Sequence, residues 1–455
     1  MASSRVEMLQ GPLVGPLFKL AIPVALIGIL QQMFNTADIF VLGRYVGGTA
    51  LSAVGNNMPI IGVLVTLFIG ISLGANVVIA RYLGGRHYKE ASEAIHTTIL
   101  LALFVGLLFL VVGELLVTPL MEHMGVPLEV RDDAALYLRV FLLGMPGMVM
   151  YDFTAAIYRS YGNVRMPLIM LFLASVFNMI ADLLVVYWGW GLLGVVSTTV
   201  LANYLCSGLL LYMLRWHGHG VLHIFFGAIH WNWADVKEIL RIGVPAGVQG
   251  MVFNLANVII QYAINSQGAE AMAATGVTLI FEFNTYPFVI AFGQAITTFT
   301  GQNYGAGNEK RCYDVVRYGT LLSIGFIVVL SLIAVLLAQP FLQFLDLDEL
   351  TIAYGVDRVY MTIGLYFLCC VYESLSASMR GFGYSMAPAI AMTIGICGSR
   401  FLWLGTLYEA EPTFHMIMLM YPVSWLVADV MIGAMFFYMR RKRNIVMGGL
   451  RLVNF

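Results

Sequence analysis

Residues Leu20 to Leu42 read LAIPVALIGILQQMFNTADIFVL, an apolar run long enough to cross a membrane as one helix. The run holds a single carboxylate, Asp38. A carboxylate in the middle of a spanning helix costs about 2.5 to 3.5 kcal/mol on insertion scales, so it usually faces protein or a water-filled cavity and marks an ion or substrate path. Pro23 lies about four turns earlier and is expected to let the helix bend, because proline removes a backbone hydrogen bond. The stretch therefore predicts a bendable spanning helix that carries a proton- or cation-binding group.

The composition is that of a polytopic membrane protein. Of the 455 residues, 60% are hydrophobic and 11% are charged, and the mean hydropathy is +0.85, which excludes a soluble globular or disordered protein. The net charge of −1 indicates no nucleic-acid partner. The five cysteines have no metal-ligand spacing, and the sequence contains no phosphate-binding glycine loop with lysine, no His-Glu-x-x-His and no nucleophile motif. We therefore expect no enzyme activity and no cofactor other than a coupling ion.

Twelve apolar segments of roughly 20 residues are expected to span the membrane. They lie near residues 16–42, 57–80, 95–118, 134–158, 166–188, 191–214, 240–264, 276–300, 318–340, 359–379, 387–407 and 416–438. An even number of spans places both termini on one side. Most of the 24 Lys and Arg residues fall on that side, including Arg81, Arg86 and the run Arg440–Arg443. By the positive-inside rule, both termini of this multi-pass protein are predicted to be cytoplasmic, in the inner (plasma) membrane.

The two halves of the chain match each other at one offset. The same shift aligns Ala50–Gly55 (ALSAVG) with Ala271–Gly276 (AMAATG), and Arg159-Ser-Tyr-Gly with Arg380-Gly-Phe-Gly. Matching glycines and charges over more than a hundred residues indicate an internal repeat, as in many transporters. We predict two parallel six-helix repeats, an N-terminal lobe (1–214) and a C-terminal lobe (238–455), joined by a cytoplasmic loop (215–237).

Polar residues of the first half are expected to converge near the outer ends of two spans. Asp38 in the first span and Asp182 in the fifth lie at similar depth, and Asn178 lies one turn from Asp182 on the same face. Asn35 shares the helix face of Asp38. A paired or desolvated carboxylate can take up and release a proton, and carboxylate and amide oxygens can also bind Na⁺. The sequence does not decide whether the site binds H⁺ or Na⁺. The alternative to an ion site is that these residues form a purely structural hydrogen bond between helices.

Further charges lie in predicted spans. Asp152 and Glu373 occupy equivalent positions toward the inner ends of the fourth and tenth spans, where they form either a gate or simple pairs with Arg159 and Arg380. Arg400 in the eleventh span is a buried cation that needs a partner.

Glu282 and Glu373 are the candidate partners of Arg400, and a role in tying helices together is equally open. The offset carries Asn178 and Asp182 onto Ser399 and Trp403. The second half therefore lacks the carboxylate pair, and the coupling ion is predicted to bind in the first half.

Several motifs, in order, resemble the prokaryotic multidrug and toxic compound extrusion (MATE) family. They are ALSAVG, GANVVIARYLGGRHYKEA, YRSYGNVRMP and NMIADLLVVYWGWGLLG in the first half, and GQNYGAGNEKR and MRGFGYSMAP in the second. The likeness covers essentially the whole chain. It implies a V-shaped pair of six-helix lobes that exports drugs or metabolites, often cationic and amphipathic, in exchange for inward H⁺ or Na⁺.

The resemblance also implies roles for single residues. Asp38, Asn178 and Asp182 correspond to the family's cation-binding residues, and Pro23 corresponds to the proline that permits bending of the first helix. Gln31 and Tyr137 correspond to the family's cavity-lining positions, and Asn35 and Asp38 are expected to line the same substrate cavity. In the helix-six motif Gly194-Val-Val-Ser-Thr-Thr199, Thr199 matches the threonine near the ion, although the two valines are bulkier than the usual small residues. The acidic residue that some members carry in the seventh helix is absent here.

We therefore predict an antiporter that works by alternating access, with small-molecule substrates and the lipid bilayer as its only partners, and we expect a monomer. One alternative is a flippase of lipid-linked substrates with a related two-lobed fold, which should have a broad basic cavity for pyrophosphate. The buried charges of the first half are acidic and argue against it. A second alternative is a membrane-embedded sensor or scaffold, in which the internal carboxylates have no function.

Overall fold

The computed structural model describes residues 5–123, 126, 128–218, 220–224 and 230–449, with the side chains of 444–449 left out. The described chain consists of helices joined by short loops. The α-helices are α1 (Val14–Val41), α2 (Gly48–Gly84), α3 (Tyr88–His123), α4 (Leu128–Leu143), α5 (Met145–Tyr161), α6 (Arg165–Tyr187), α7 (Gly191–Trp216), α8 (Trp233–Asn265), α9 (Ala269–Gly305), α10 (Glu309–Phe344), α11 (Glu349–Met361), α12 (Phe367–Gly381), α13 (Met386–Met392), α14 (Ser399–Trp403) and α15 (Phe414–Gly449).

The helices account for the predicted number of spans. Within the described residues, eleven helical segments are long and apolar enough to cross a membrane, and the pair α4 and α5 supplies a twelfth if it counts as one span. The segment Glu349–Gly381, made of α11, a short 3₁₀ turn and α12, is one of the eleven, as is Met386–Tyr408. The predicted all-α polytopic fold is confirmed.

The fourth span differs from the expectation of one straight helix over 134–158. It consists of α4 and α5, which meet at Gly144 with a bend of 44°. Pro146 lies in the first turn of α5, a position where proline is tolerated because its missing N–H would have no partner within the helix. Since the same proline could not extend α4 without losing hydrogen bonds, the break falls at this point.

Two spans contain π-helical turns. α1 runs without a break through Pro23 and is followed by a π-helical turn, Leu42–Val46, which ends at Gly47 with φ 124°. In the eleventh span, π-helical segments at Thr393–Gly398 and Leu404–Tyr408 flank the short α14. Such turns rotate the side chains that follow them and are frequent at functional sites. They lie next to two of the charged residues of interest, Asp38 and Arg400.

The chain forms two compact units. The first comprises the chain through Asn254 together with Gly301–Asn308, and the second comprises Leu255–Thr300 and the chain from Glu309 onward. These limits describe packing, whereas the division into halves joined by the loop 215–237 stays a prediction. Residues 219 and 225–229 of that loop lie outside the described residues.

In the first unit, glycines let backbones approach closely. A Cβ on Gly70 of α2 would lie 2.1 Å from the Gly247 nitrogen of α8, and a Cβ on Gly74 would lie 2.1 Å from the Ile239 oxygen. A Cβ on Gly84, at the end of α2, would lie 1.9 Å from the carbonyl oxygen of Gln302. Neighbouring atoms in all three cases are backbone atoms, which cannot rotate away. Helices of membrane proteins commonly pack through small residues in this way.

The close approach at Gly84 gives a direct test of this packing. Gly84→Ala should destabilise the protein by about 1 to 3 kcal/mol, the usual cost of overpacking, because the methyl group would force two backbones apart. Gly55→Ala in the same helix is the matched control, since no atom lies within 4 Å of its Cβ position. It should be neutral or stabilising by up to about 1 kcal/mol, as alanine favours helix. Thermal melting of the purified proteins measures both, and equal melting of the two variants would contradict the contact.

Candidate functional site

The candidate ion site lies where α6 packs against both α1 and α7 in the first unit. Asp182 on α6 has no exposed surface, and Asn178 one turn earlier is 2% exposed. Asp38 comes from the last turn of α1, just before the π-helical turn. The carboxyl groups of Asp38 and Asp182 lie close enough to hydrogen-bond when one of them carries a proton. The structure thus brings together the two acids that the sequence placed at similar depth.

Hydroxyl and amide groups complete the site. Thr199 Oγ1 donates to Asp38 Oδ2 at 2.9 Å, and Thr198 Oγ1 donates to Asp182 Oδ1. Asn178 Nδ2 donates to the same Asp182 oxygen at 3.3 Å. All these partners come from α6 and α7, so each acid is held in place by the neighbouring helices.

One oxygen of each acid has no donor. Asp38 Oδ1 and Asp182 Oδ2 are buried and accept no hydrogen bond from any described residue. Neither acid forms a salt bridge within the described part of the chain. Two unit charges about 4 Å apart repel by about 4 kcal/mol at an effective dielectric constant of 20. A single positive charge shared between these two oxygens would relieve that repulsion, and a proton or a sodium ion supplies it.

Of the predicted cavity residues, Tyr137 lies near the acid pair, whereas Gln31 and Asn35 form no bond with it. Tyr137 of α4 is half-buried, lies within charge range of both acids and stacks on Phe141 with the ring centroids 6.2 Å apart. Asn35 is exposed, and its amide donates to Gln32 Oε1 at 3.3 Å. Gln31 is half-buried on the same helix. Neither Gln31 nor Asn35 bonds to the acid pair in this structure.

Sequence reasoning missed Thr198. The sequence comparison selected Thr199 by its place in the helix-six motif, yet both threonines donate to the acids, Thr198 to Asp182 and Thr199 to Asp38. The signal was the run of three hydroxyl residues, Ser197-Thr198-Thr199, in an otherwise apolar span. Adjacent residues of a helix point about 100° apart, so two neighbours can reach acids on two different helices.

The carboxylates of the second unit do not pair with Arg400. Glu282 accepts from Arg358 Nη2 at 2.8 Å, and Glu373 accepts from Arg380 Nη2. The candidate pairing of Arg400 with Glu282 or Glu373 is therefore wrong in this structure. Each glutamate is therefore neutralised by another arginine. For Glu373, the structure contains the simple ion pair with Arg380 that was predicted as the alternative to a gate.

Asp152 differs from its equivalent Glu373. It lies half-buried on α5 and interacts with Arg159 through charge, but no salt bridge joins the two residues within the described chain. The symmetric arrangement of two ion pairs, one in each half, is therefore not observed. Asp152 and Arg159 have the same seven-residue spacing on one helix as Glu373 and Arg380, so spacing does not account for the difference between the two pairs.

Arg400 of α14 is buried within the second unit. Its Nε donates to Ser424 Oγ of α15 at 3.0 Å, and its guanidinium lies 4.5 Å from the ring centroid of Tyr421. Both contacts are to α15, so Arg400 does tie two helices together. Neither contact neutralises its charge.

The fold and these sites define a helical multi-pass membrane protein with an acidic pair, one buried and one half-buried, in one unit and a buried cation in the other. The chain belongs to the MatE family, whose sequence model matches residues 23–184 and 245–402. The two matched segments fall one in each predicted half, in agreement with the internal repeat.

Individual relatives are similar over most of their length. The chain is 28% identical over 392 residues to the probable multidrug resistance protein NorM of Thermotoga maritima, covering 84% of this chain and 83% of that protein. It is 24% identical over 386 residues to the probable multidrug resistance protein YoeA of Bacillus subtilis, with 83% of each chain covered.

Solved structures share the fold. A crystal structure of MATE in the straight conformation superposes with a TM-score of 0.87 at 20% identity, covering 97% of this chain and 99% of that one. An outward-facing multidrug resistance MATE family transporter of the MOP superfamily superposes with a TM-score of 0.86 at 20% identity, covering 96% and 98%. At these identities the likeness establishes the architecture.

Proposed function

We propose that this protein is a cation-coupled antiporter that exports small organic compounds, with Asp38 and Asp182 as the coupling site. The observation that carries the proposal is the contact between the buried Asp182 and the half-buried Asp38, each with one enclosed oxygen that has no donor among the described residues. Such a site binds one H⁺ or one Na⁺ and releases it when the two carboxylates move apart or become hydrated. Membership of the MatE family and similarity to multidrug resistance proteins support export as the direction.

The coupling ion supplies the difference in affinity that alternating access requires. A ligand shifts a conformational equilibrium only by the amount that its binding energies in the two states differ. Asp38 lies on α1 and Asp182 on α6, so a cation held by both acids favours conformations in which these helices stay together. Pro23 in α1 and the π-helical turn after Val41 are positions where α1 can bend when the ion leaves.

The proposal includes the location of the protein. The basic terminal segments and loops favour both termini on the cytoplasmic side of the inner membrane. Small-molecule substrates and the bilayer are the partners we propose, and the protein acts as a monomer without enzyme activity.

A flippase is less well supported. It would need several unpaired basic residues to hold a pyrophosphate, but Arg358 and Arg380 are each bound to a glutamate. Two buried arginines, Arg159 of α5 and Arg400 of α14, form no salt bridge among the described residues.

Transport in proteoliposomes with separately imposed gradients tests the proposal and identifies the ion. A fluorescent organic cation should move against its gradient when either a pH gradient or a Na⁺ gradient is applied with the opposite direction. Absence of transport under both gradients, with protein correctly inserted, would contradict the antiporter proposal.

The hydroxyl group of Thr199 provides a conservative test of the site. Thr199→Val keeps the shape but removes the hydrogen bond to Asp38, which is worth about 1.5 to 3 kcal/mol when the acceptor is charged. We expect a roughly tenfold or greater change in the ion concentration that half-saturates transport.

Ser197→Ala is the matched control for Thr199→Val. Within the described part of the chain, the Ser197 hydroxyl donates to the Leu193 carbonyl of its own helix and to no other group, so its removal should leave ion dependence unchanged. Equal ion dependence of the valine variant and the wild type would show that Thr199 does not tune the site.

A further inference from the structure

An apolar groove lies on the second unit, between α12, α13 and α15. It has a volume of about 380 Å³ and opens to the surface of the protein. Met379 of α12, Ala387 of α13 and Met435 of α15 line its apolar part. The volume is in the range of ligand sites, which are mostly apolar and carry a few polar groups that orient the ligand. The polar groups of this groove therefore indicate what it can hold.

The groove is apolar at one end and basic at the other. Met435 and Lys442 both line it and lie seven residues apart on α15. Seven residues are about two helical turns, so the two side chains share a helix face and are separated by roughly 10 Å along the axis. Met439 lies between them on the same face, and Arg443 joins Lys442 at the basic end. A ligand that follows the groove thus passes from apolar side chains to positive charge within two turns.

The basic end keeps a net positive charge. Arg443 Nε donates to Glu309 Oε1 at 2.7 Å, and its guanidinium lies 4.7 Å from the ring centroid of Phe382, so Arg443 is held in place. Lys442 is exposed and forms no salt bridge or hydrogen bond within the described part of the chain. Every Asp and Glu of the sequence lies in that part, and none of them lines the groove. The charge of Lys442 is therefore available to an anionic group.

The groove crosses the expected boundary of the membrane. The span predicted at 416–438 ends one residue before Met439, and the run Arg440–Arg443 follows directly. Tyr384 and Tyr438, which also line the groove, are 44% and 69% exposed. Tyrosine is enriched at the level of the lipid headgroups, where its ring lies in an apolar environment and its hydroxyl reaches water. The apolar end of the groove therefore faces the hydrocarbon of the bilayer, and the basic end lies at the headgroups.

An anionic phospholipid has its parts in the same order as the groove. Its acyl chains lie in the hydrocarbon, and its phosphate lies at the boundary. Basic pockets between spanning helices, and clusters of Lys and Arg just beyond a span, bind anionic headgroups, and lysine binds phosphate as a point charge. The unbranched side chains of Met379, Met435 and Met439 can adapt to an acyl chain. An organic cation would be repelled by Lys442 and would find no acid in the groove.

We propose that this groove binds one anionic phospholipid, with an acyl chain along the three methionines and its phosphate at Lys442 and Arg443. The bound lipid packs against α12, α13 and α15 and holds these helices together at the basic end. With both termini cytoplasmic, as proposed above, the lipid belongs to the inner leaflet. The site goes beyond the proposed antiport, because it uses neither the acid pair nor an ion gradient.

Native mass spectrometry of the purified, delipidated full-length protein tests the proposal. Titration in detergent with phosphatidylglycerol or with phosphatidylcholine of identical acyl chains gives the dissociation constant of the first bound lipid. The wild type should bind phosphatidylglycerol at least about fivefold more tightly than phosphatidylcholine. Lys442→Gln should weaken phosphatidylglycerol binding roughly fivefold, the contribution of one basic residue beside an anionic lipid. Its affinity for phosphatidylcholine should change less than about twofold.

Two variants separate the charge from the groove. Arg441→Gln removes the same charge from the neighbouring residue, which does not line the groove, and should change phosphatidylglycerol binding less than about twofold. Ala387→Phe keeps every charge but fills the apolar part of the groove, and should weaken phosphatidylglycerol binding about fivefold or more. Glycerol 1-phosphate, a headgroup fragment without acyl chains, should not displace the lipid even in excess.

Four outcomes would overturn the proposal. They are equal binding of the two lipids by the wild type, the same affinity for phosphatidylglycerol in Lys442→Gln and Arg441→Gln, unchanged binding in Ala387→Phe, and displacement of the lipid by glycerol 1-phosphate. The second would indicate a diffuse attraction to the basic surface, and the last would indicate a phosphate site without a role for the groove. Should Ala387→Phe not yield monodisperse protein, the displacement experiment decides that role. No ion gradient is present in these measurements, so failure of the antiporter proposal would leave them unaffected.

Discussion

Asp38→Asn is expected to reduce cation-driven efflux to the level of cells that lack the protein. Asparagine has the same shape and can still accept the hydrogen bond from Thr199, which is 2.9 Å long in the wild type, so the fold should be preserved. The amide cannot take up a proton and adds no negative charge to attract Na⁺. The two conformations of the transport cycle then bind the ion equally weakly. A ligand that binds both conformations with the same affinity does not shift the equilibrium between them. Efflux of a fluorescent organic cation, measured at equal expression, gives the result.

Glu114→Gln is the matched control for the loss of a carboxylate in a spanning helix. Glu114 lies on α3 and pairs with Arg139 at 2.9 Å on a partly exposed surface, where such pairs contribute roughly 0 to 1 kcal/mol. The variant should transport as the wild type does. Undiminished transport by Asp38→Asn would remove Asp38 from the coupling mechanism, and a loss of transport in both variants would point to a general defect.

Removal of Glu373 should have the largest effect on stability. Its side chain and that of Arg380 are 11% and 7% exposed, and the two form a buried ion pair. Glu373→Ala would leave the Arg380 guanidinium buried without a counter-charge, which costs about 3 to 5 kcal/mol. The Glu373 carboxylate also fills the space beside Gly293, where a Cβ would lie 2.7 Å from Glu373 Oε1. The midpoint of thermal unfolding of the purified variant should fall accordingly.

A double replacement separates charge from packing. In Glu373→Leu with Arg380→Met both charges are absent and the volume is nearly kept. Replacement of a buried ion pair by apolar residues is often neutral or stabilising, so the double variant should melt well above Glu373→Ala. Equal destabilisation of the single and double variants would show that shape, and not the unpaired arginine, accounts for the loss.

The candidate ion site was largely predictable from the sequence. Asp38, Asn178 and Asp182 are polar residues in spans where each polar residue is energetically costly, so few arrangements are compatible with the membrane. The spacing of Asn178 and Asp182 placed them on one helix face, and the structure has them hydrogen-bonded. Thr199 was predicted from its position in the helix-six motif. Thr198 was missed because the motif marks a single threonine, whereas two neighbouring threonines donate to the acids.

The charges of the second unit were predicted less well. The candidate partners of Arg400 were the two buried glutamates, whereas Glu282 binds Arg358 and Glu373 binds Arg380. Arg358 lies just before the predicted span 359–379, so its place in the sequence does not indicate a buried residue. When a spanning helix is apolar on all faces, its sequence does not show which face points toward the neighbouring helices. The pairing of charges that are far apart in the chain then depends on helix packing, which one sequence does not reveal.

What the sequence determined by itself was the class of fold and the cost of each buried charge. Hydrophobic segments of membrane length must form helices, because the bilayer offers no other partner for the backbone. The repeat of glycines and charges predicts two parallel halves. Only the tertiary structure decided which helix faces meet, where the fourth span bends and which acids are neutralised. Those outcomes depend on ångström-scale contacts between residues far apart in the chain, such as Gly84 with Gln302 and Asp38 with Asp182.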